Sequence, residues 1–317
     1  MSFLIENLVS RQMLAATPHV VPSATLLAYS QVKGTLSAAQ SISFKNTGSG
    51  KLVIQSINLI GNDAPAFVIS NLPKKFSLAK NKSVSFMVKF MAFDVSLRGA
   101  VLRVTTNDPV NPIQDVQLRG IGAQGQYEVG EPSLARILSA LQIDANVGDA
   151  DPSTTTIDTP LSPNDEVPAQ LLQKAGTGPV TIKSLASYSY NTDPVSTVGW
   201  YSYSPTLNAR ALFTTPIGFG QNLLPKAIGN LSFDPGNAAF GIFSNWPSQV
   251  HGATYSEDTY NYWNTKNANK HSVRFYKYRD ASGNIVPNSY VAAFEESLND
   301  DFNDTVLLIS NVKPNGT

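Results

Sequence analysis

Apolar and polar residues alternate in short segments along the first 122 residues of the chain. The longest is Val84-x-Phe86-x-Val88-x-Phe90, in which every second side chain is apolar. A period of two places one face of a strand in a core and the other in water. Six further segments alternate in the same way between turn sequences: 42–44, 52–57, 67–69, 76–78, 102–104 and 116–118. This pattern predicts an antiparallel sandwich of about seven strands between residues 24 and 122.

The pattern changes after residue 123. Gly125, Gly130 and Pro132 are typical of a linker, and Ser133 can cap a helix. Apolar residues at 134, 137, 138 and 141 share one helical face, which predicts a short helix over 134–141. The stretch 144–167 is rich in Asp, Pro, Ser and Thr and is predicted to be a loop or second linker.

Short strand-like segments return from residue 168, with many aromatic residues and with Gly and Pro between them. This favours a second, larger sandwich of jelly-roll type. The predicted fold class is all-β, with two β-sandwich domains joined by a short linker helix. The predicted division is an N-terminal arm (1–23), an immunoglobulin-like sandwich (24–123), a linker with a short helix and an Asp-rich loop (124–167) and a jelly-roll-like sandwich (168–317).

The first sandwich resembles a known family. Its motifs are Phe67-x-Ile69, the run over 84–90, Thr106-Asn107-Asp108-Pro109 and Val116-x-Leu118-x-Gly120-x-Gly122. Together they are similar to the immunoglobulin-like domain of ciliary Hydin-type (ASH-type) proteins and of exported bacterial proteins of the choice-of-anchor D type. The resemblance covers about 25–123 and implies a structural or adhesive spacer without catalytic residues.

Acidic residues concentrate near the C-terminus. Residues 295–304 read Glu-Glu-Ser-Leu-Asn-Asp-Asp-Phe-Asn-Asp, between two apolar strand-like segments. So many carboxylates repel one another unless a cation neutralises them, and Ca²⁺ takes about 6–8 oxygen ligands. The predicted calcium ligands are Asp300, Asp301, Asn303, Asp304 and Glu295, joined by Glu257 and Asp258 if these lie nearby. The alternative is a solvated acidic turn.

This ending also carries a resemblance. The Asp-Phe-Asn-Asp segment followed by an apolar strand is similar to the end of calcium-dependent bacterial surface sandwich domains. Segments 255–258, 271–276 and 286–290 resemble the same uncharacterised module of exported proteins. The resemblance covers about 131–314 and implies an exported sandwich domain, but no particular function.

A second group of oxygen ligands is Asp144-x-Asn146-x-x-Asp149-x-Asp151. Its spacing is reminiscent of calcium loops, but Thr155 stands where an EF-hand has its twelfth-position Glu. An EF-hand is therefore excluded, and the alternatives are a weaker ion site or a capped, solvated turn.

One aromatic cluster is a candidate ligand surface. Tyr260, Tyr262 and Trp263 are surrounded by asparagines, and aromatic faces with neighbouring amides are typical of sugar-binding surfaces. The alternative is that these rings belong to the core of the sandwich.

The N-terminal arm carries apolar residues ahead of the first sandwich: Phe3, Leu4, Ile5, Leu8 and Val9. An apolar segment outside a domain needs a partner surface. We expect either docking on a neighbouring subunit, which repeated head to tail builds a filament or array, or packing on its own chain.

Composition narrows the class of function. The 317 residues carry 23 Lys plus Arg and 23 Asp plus Glu, and this zero net charge argues against nucleic acid as the main partner. The absence of cysteine excludes a thiolate site, and no Gly-x-Ser-x-Gly elbow or Gly-rich phosphate loop is present. No apolar stretch is long enough for membrane insertion, and residues 1–16 contain no readable signal peptide.

The sequence as a whole predicts a non-enzymatic exported or cell-surface protein of structural or adhesive type. We expect self-association through the arm and a calcium ion that stabilises the C-terminal domain. The alternatives are a carbohydrate-binding module that recognises glycans, or an accessory domain of an extracellular enzyme.

Overall fold

A computed structural model describes residues 16–70, 75–127, 129–147, 165–190, 193–247, 251–264, 271–297, 299 and 301–315. These residues form 23 strands, one α-helix and two short 3₁₀ helices, Ala64–Ala66 and Asp258–Tyr260. The predicted all-β sandwich fold is confirmed. In the described residues, no helix is both long and apolar enough to cross a membrane.

Nine strands form between residues 20 and 123 and build two sheets. They are β1 (Val20–Pro22), β2 (Leu26–Val32), β3 (Gln40–Asn46), β4 (Leu52–Ile60), β5 (Phe67–Ile69), β6 (Phe76–Leu78), β7 (Ser83–Phe90), β8 (Leu97–Thr106) and β9 (Ile113–Ala123). The strand orders are β1-β3-β7-β5 and β2-β9-β8-β4-β6. The core between the sheets includes Phe44 and Phe90 from one sheet and Leu102 and Leu118 from the other. All seven alternating segments of the sequence lie in strands.

Two strands, β1 and β2, were not predicted from the sequence. In β2, Leu27 and Tyr29 pack into the core of the first sandwich, whereas Ala28 packs on the opposite side. Both faces of β2 are therefore buried, so its sequence does not alternate. The strand runs parallel to β9, with Leu26 opposite Gln117.

Strand β1 lies inside the segment assigned to the N-terminal arm. It pairs antiparallel with β3, with Val20 opposite Asn46, so residues 20–22 belong to the first sheet of the same chain. The residues proposed for assembly lie outside the described residues: Phe3, Leu4, Ile5, Leu8 and Val9.

Asp108 connects β1 to the turn between β8 and β9. It is 1% exposed, and its Oδ2 accepts hydrogen bonds from Val20 N at 2.9 Å and from His19 Nδ1 at 3.0 Å. Its Oδ1 accepts from Val110 N at 2.9 Å and from Asn111 N at 3.2 Å. Burial opposes ionisation of this carboxyl, but these hydrogen bonds outweigh burial and hold its pKa below the usual range.

Fourteen strands between residues 166 and 314 build the second half. They are β10 (Glu166–Val167), β11 (Leu172–Lys174), β12 (Val180–Tyr188), β13 (Ser196–Ser202), β14 (Ala209–Thr215), β15 (Gln221–Leu223), β16 (Ile228–Gly229), β17 (Ser232–Phe233), β18 (Phe240–Asn245), β19 (Ala253–Tyr255), β20 (Val273–Arg279), β21 (Ile285–Phe294), β22 (Thr305–Ser310) and β23 (Val312–Pro314). One sheet has the order β10-β20-β21-β22-β12-β15, with β17 beside β12. The other has the order β16-β14-β13-β18-β11-β23, with β19 beside β18. Side chains of both sheets form a shared core, as in a sandwich.

The helix α1 (Leu134–Ala140) lies between the two halves. Ser133 caps it, accepting a hydrogen bond from Arg136 N at 3.4 Å, and the predicted helix is confirmed. Ile137 and Leu138 are fully buried in a hydrophobic cluster that also contains Ala28 and Ile121 of the first half. We call this group the central cluster; from the second half it includes Leu185, Ala186, Tyr188, Leu223, Tyr276, Val291, Ala293, Phe302 and Val306. The connection between the sandwiches is thus part of a core.

Asp108 provides a test of the first sandwich. In Asp108→Asn an amide NH₂ replaces one acceptor oxygen and faces backbone N–H donors, so we expect a loss of about 2–3 kcal/mol in the free energy of unfolding, measured by urea denaturation. Because the pKa is lowered in the folded state, the stability due to Asp108 is present above the ordinary aspartate pKa. It is lost as pH falls through the lowered value, and the variant should lack this part of the pH dependence.

The matched control is Asp115→Asn. Asp115 pairs with Arg103 at 2.6 Å with both side chains partly exposed, so its loss should cost less than about 1 kcal/mol. Equal losses in the two variants would contradict the assigned role of Asp108.

Candidate functional site

The acidic loop connects β21 to β22, two neighbouring strands inside one sheet. It brings together three of the predicted ligands. Glu295, Asp301 and Asp304 each present a carboxylate oxygen within 4.8 Å of the others. Glu295 and Asp304 are fully buried, and Asp301 is partly buried. We call these three residues the carboxylate triad. Asp300 lies outside the described residues.

The Glu295 carboxylate organises the loop. Its Oε1 accepts from Ser297 N at 3.0 Å and from Ser297 Oγ at 2.8 Å. Its Oε2 accepts from Asp301 N at 2.9 Å and from Phe302 N at 3.3 Å. One side chain therefore satisfies the backbone on both sides of the loop, while Asp304 Oδ2 accepts from Glu296 N.

Asn303 fastens the loop to the segment before α1. Its Nδ2 donates to Pro132 O at 3.1 Å and to Asp301 Oδ2 at 2.9 Å. The side chain is buried, and its Oδ1 accepts no hydrogen bond from the part of the chain that the structure describes. Both bonds made by the nitrogen go to acceptors, which defines the amide orientation and leaves a buried acceptor beside the triad.

Phe302 anchors the loop to the central cluster. Its backbone has a φ of 53°, a left-handed conformation that a bulky residue adopts only when its surroundings enforce it. The ring is 2% exposed, and the Arg274 guanidinium lies 4.4 Å from its centroid. The loop conformation is therefore held by packing as well as by Glu295.

Arg274 supplies a positive charge beside this loop. Arg274 Nη1 also lies 3.7 Å from Glu166 Oε2, so its charge is shared with another carboxylate. His251 Nε2 donates to Glu296 O at 3.0 Å, and burial lowers the pKa of His251 because it disfavours the charged imidazolium. The triad is therefore a group of three carboxylates that could hold a metal ion.

Glu257 and Asp258 are not brought into the triad. Asp258 Oδ2 accepts from Gln170 Nε2 at 2.6 Å and from His271 Nδ1 at 2.7 Å. This hydrogen bond to Asp258 raises the pKa of His271, against the opposing effect of burial. Burial raises the pKa of Glu257, whose backbone N donates to the Tyr201 hydroxyl at 3.2 Å. Asp258 is thus occupied by a local network.

An ion pair between an arginine and an aspartate lies at the second predicted cluster. The Arg279 guanidinium makes a bidentate contact with Asp165, in which Nη2 donates to Oδ1 at 2.8 Å and Nε donates to Oδ2 at 3.0 Å. Asp165 Oδ2 also accepts a hydrogen bond from Asn146 N at 2.8 Å. Asp144 lies close enough to interact electrostatically with Arg279. Asp149 and Asp151 lie outside the described residues. In the described part, a guanidinium supplies the positive charge that an ion would bring.

The aromatic segment makes mostly internal contacts. Tyr260 packs edge-on against Tyr201 with centroids 5.7 Å apart, and Trp263 stacks on His251 at 3.8 Å. Asn261 is buried and bonds to the backbone of Tyr255. Tyr262 is 78% exposed. Sugar binding by Tyr260, Tyr262 and Trp263 stays a prediction.

Comparisons with known proteins give only weak structural likenesses. No family model matches the chain, and no curated protein matches it. A protein of unknown function from Porphyromonas gingivalis W83 is 18% identical with a TM-score of 0.28; the match covers 34% of this chain and 48% of that one, about half its length. The ASH/PapD-like domain 7 of human CEP192 is 14% identical with a TM-score of 0.28, and the match covers 40% of this chain and 100% of that domain. The Escherichia coli chaperone DraB is 9% identical with a TM-score of 0.28, and the match covers 68% of this chain and 97% of DraB. Likenesses this low support no argument about function.

Sequence analysis did not identify Asp165, Arg279 or Arg274 as part of these sites. Arg279 pairs with Asp165 across 114 residues, and only the pairing of β20 with its neighbours brings them together. For Arg274, the available sequence signal is an arginine among apolar residues of a strand, which indicates a buried charge that needs a partner.

The role of Glu295 gives a prediction. In Glu295→Gln one acceptor oxygen becomes an NH₂ that faces N–H donors, so we expect a loss of about 2–4 kcal/mol in urea denaturation. Glu166→Gln is the control, because Glu166 is partly buried and its contact with Arg274 is long at 3.7 Å. A loss in Glu295→Gln no larger than in the control would contradict the organising role.

Proposed function

We propose that this chain is a non-enzymatic structural or adhesive protein whose C-terminal sandwich is stabilised by Ca²⁺ bound in the 295–304 loop. The observation that carries the proposal is the carboxylate triad, with its oxygens within 4.8 Å of one another and two members fully buried. Ionised carboxylates at this spacing repel one another, and a cation bound between them relieves that repulsion.

The donor set fits a hard cation. The triad supplies carboxylate oxygens, and the Asn303 amide oxygen next to it has no hydrogen-bond donor from the described residues. With no cysteine in the chain, these ligands suit Ca²⁺ or Mg²⁺ better than Zn²⁺. An irregular loop suits Ca²⁺ better than Mg²⁺, which demands near-octahedral geometry.

The position of the loop gives such an ion a structural role. The loop joins two central strands and is bonded to Pro132 through Asn303, and Phe302 lies in the central cluster. An ion at the triad would hold the second sandwich and the segment leading to α1 in one arrangement. Extracellular calcium is abundant enough to fill sites with Kd of about 10⁻⁴–10⁻³ M, which agrees with an exported or cell-surface location.

Thermal unfolding in Ca²⁺ and in chelator tests the site. An ion that binds only the folded state contributes about 2.7 kcal/mol at 100 times its Kd, so we expect Ca²⁺ to raise the Tm by about 5–10 °C over EDTA. Asp301→Asn should abolish this increase, and Mg²⁺ should give a smaller one.

The control variant is Asp234→Asn, which removes an exposed carboxylate paired with Lys174. It should keep the full response to Ca²⁺. A wild-type Tm that is the same in Ca²⁺ and in EDTA would overturn the proposed ion site.

We also propose that the apolar N-terminal segment mediates self-association. What supports this is the sequence pattern of Phe3, Leu4, Ile5, Leu8 and Val9 ahead of a sheet that begins at Val20. Backbone bonds from Gly50 N to Thr17 O and from Thr47 N to His19 O place residues 17–19 against the first sandwich. A test must therefore leave residues from 16 onward intact.

Deletion of residues 1–15 is the corresponding test. We expect the truncated chain to keep its Tm and to lose concentration-dependent assembly in light scattering. The matched control replaces the five apolar residues with serine at full length and should behave like the deletion. Unchanged assembly in both variants would contradict the proposal.

A further inference from the structure

A cavity of about 550 Å³ lies between the two halves of the chain. One wall is formed by the edge strand β2 and the segment 37–40 of the first half, and another by the edge strand β15 and the turn before it in the second half. Cavities of this volume at junctions between domains are common sites for small ligands. The cavity shares no residue with the 295–304 loop, so it is a separate site.

The walls are held in place before any ligand binds. Strand β2 is paired along its whole length with β9, and β15 is paired with β12 through Ala186 opposite Leu223. Leu223 also lies in the central cluster. A rigid cavity avoids the entropic cost of ordering its walls on binding.

Side-chain amides form much of the polar lining. Gln31, Gln40, Gln221 and Asn222 are all partly buried, two on each wall. The amide nitrogen of each is already committed inside the chain, donating respectively to Thr35 Oγ1 at 2.6 Å, Ala28 O at 2.6 Å, Ser189 O at 3.1 Å and Gly218 O at 3.1 Å.

The four amide oxygens are available to accept hydrogen bonds from a ligand. From the part of the chain that the structure describes, no hydrogen bond reaches any of these four oxygens. Among the described lining residues, the charged side chain is Lys226, and no carboxylate is present. Such a site suits a ligand with many hydroxyl donors and no positive charge.

An aromatic ring completes the lining. Tyr127 is 39% exposed and stacks on Tyr190, with centroids 5.5 Å apart and an interplanar angle of 2°. A ring supported in this way is a rigid apolar surface beside the polar amides. Apolar surface next to several acceptors matches a pyranose, which has an apolar face and a rim of hydroxyls.

We propose that this cavity binds a saccharide. Ligand hydroxyls donate to the amide oxygens of both walls, Lys226 donates to ligand oxygens, and Tyr127 contacts a sugar ring. An extended peptide is the competing ligand, because edge strands flank the cavity. The four side-chain acceptors favour the saccharide, because a strand directs only every second N–H to one side.

The experiment uses the full chain on an immobilised array of neutral and uronic-acid hexasaccharides, followed by titration calorimetry with the hexasaccharide that binds. We expect Gln221→Ala and Gln31→Ala each to weaken binding about two- to tenfold, since each loses one hydrogen bond. Ala38→Trp, which places a large ring from an exposed lining position into the cavity, should abolish binding. Because each glutamine variant also loses one internal hydrogen bond, we expect its Tm to fall by no more than about 2–4 °C.

Gln114→Ala is the matched control. Gln114 is a partly buried glutamine outside the cavity whose amide also donates to a backbone carbonyl, Asn111 O at 3.3 Å. Binding should be unchanged in this variant, and unchanged by EDTA, which separates this proposal from the calcium site. No binding to any hexasaccharide at millimolar concentration, binding that survives Ala38→Trp, or peptide binding that is lost in the cavity variants would overturn the saccharide assignment.

Discussion

Burial of apolar side chains around helix α1 is the interaction on which the rest of the structure depends. Ile137 and Leu138 are in contact with a cluster that draws Ala28 and Ile121 from the first sandwich and Tyr188 and Val306 from the second. Burial at about 25 cal/mol per Å² of apolar area makes a shared core of this kind costly to open. The two sandwiches therefore have a defined relation, and the features between them have defined shapes.

Both candidate sites are set against this cluster. Phe302 places the acidic loop on it, and Asn303 ties that loop to Pro132, just before the helix. Leu223 of β15 belongs to the same cluster, so the cavity wall that β15 forms is positioned by the cluster too. A cation at the triad and a ligand in the cavity would thus act on one packed junction from different sides.

Much of the first sandwich was predictable because most of its strands have one face in the core and one face in solvent. In β7 the apolar positions 84, 86, 88 and 90 point to one core, and the alternation is plain in the sequence. The sheet that contains β21 is buried on both faces: Ala292 and Phe294 face the core of the second sandwich, and Val291 and Ala293 face the central cluster. An unbroken apolar run carries no period, so the sequence indicates a strand there without indicating what covers each face.

By itself, the sequence determined the all-β class, the positions of the alternating strands, the capped helix after Ser133 and the concentration of carboxylates at 295–304. These are local properties, set by periodicity, capping and composition over a few residues. Only the tertiary structure decided that Glu295, Asp301 and Asp304 converge while Asp258 binds His271, that Arg279 neutralises Asp165, and that amides from β2 and β15 line one cavity. Each of these depends on which strands become neighbours. The choice of neighbouring strands depends on the burial of apolar side chains that are far apart in the sequence. The spacing of residues along the chain therefore does not predict it.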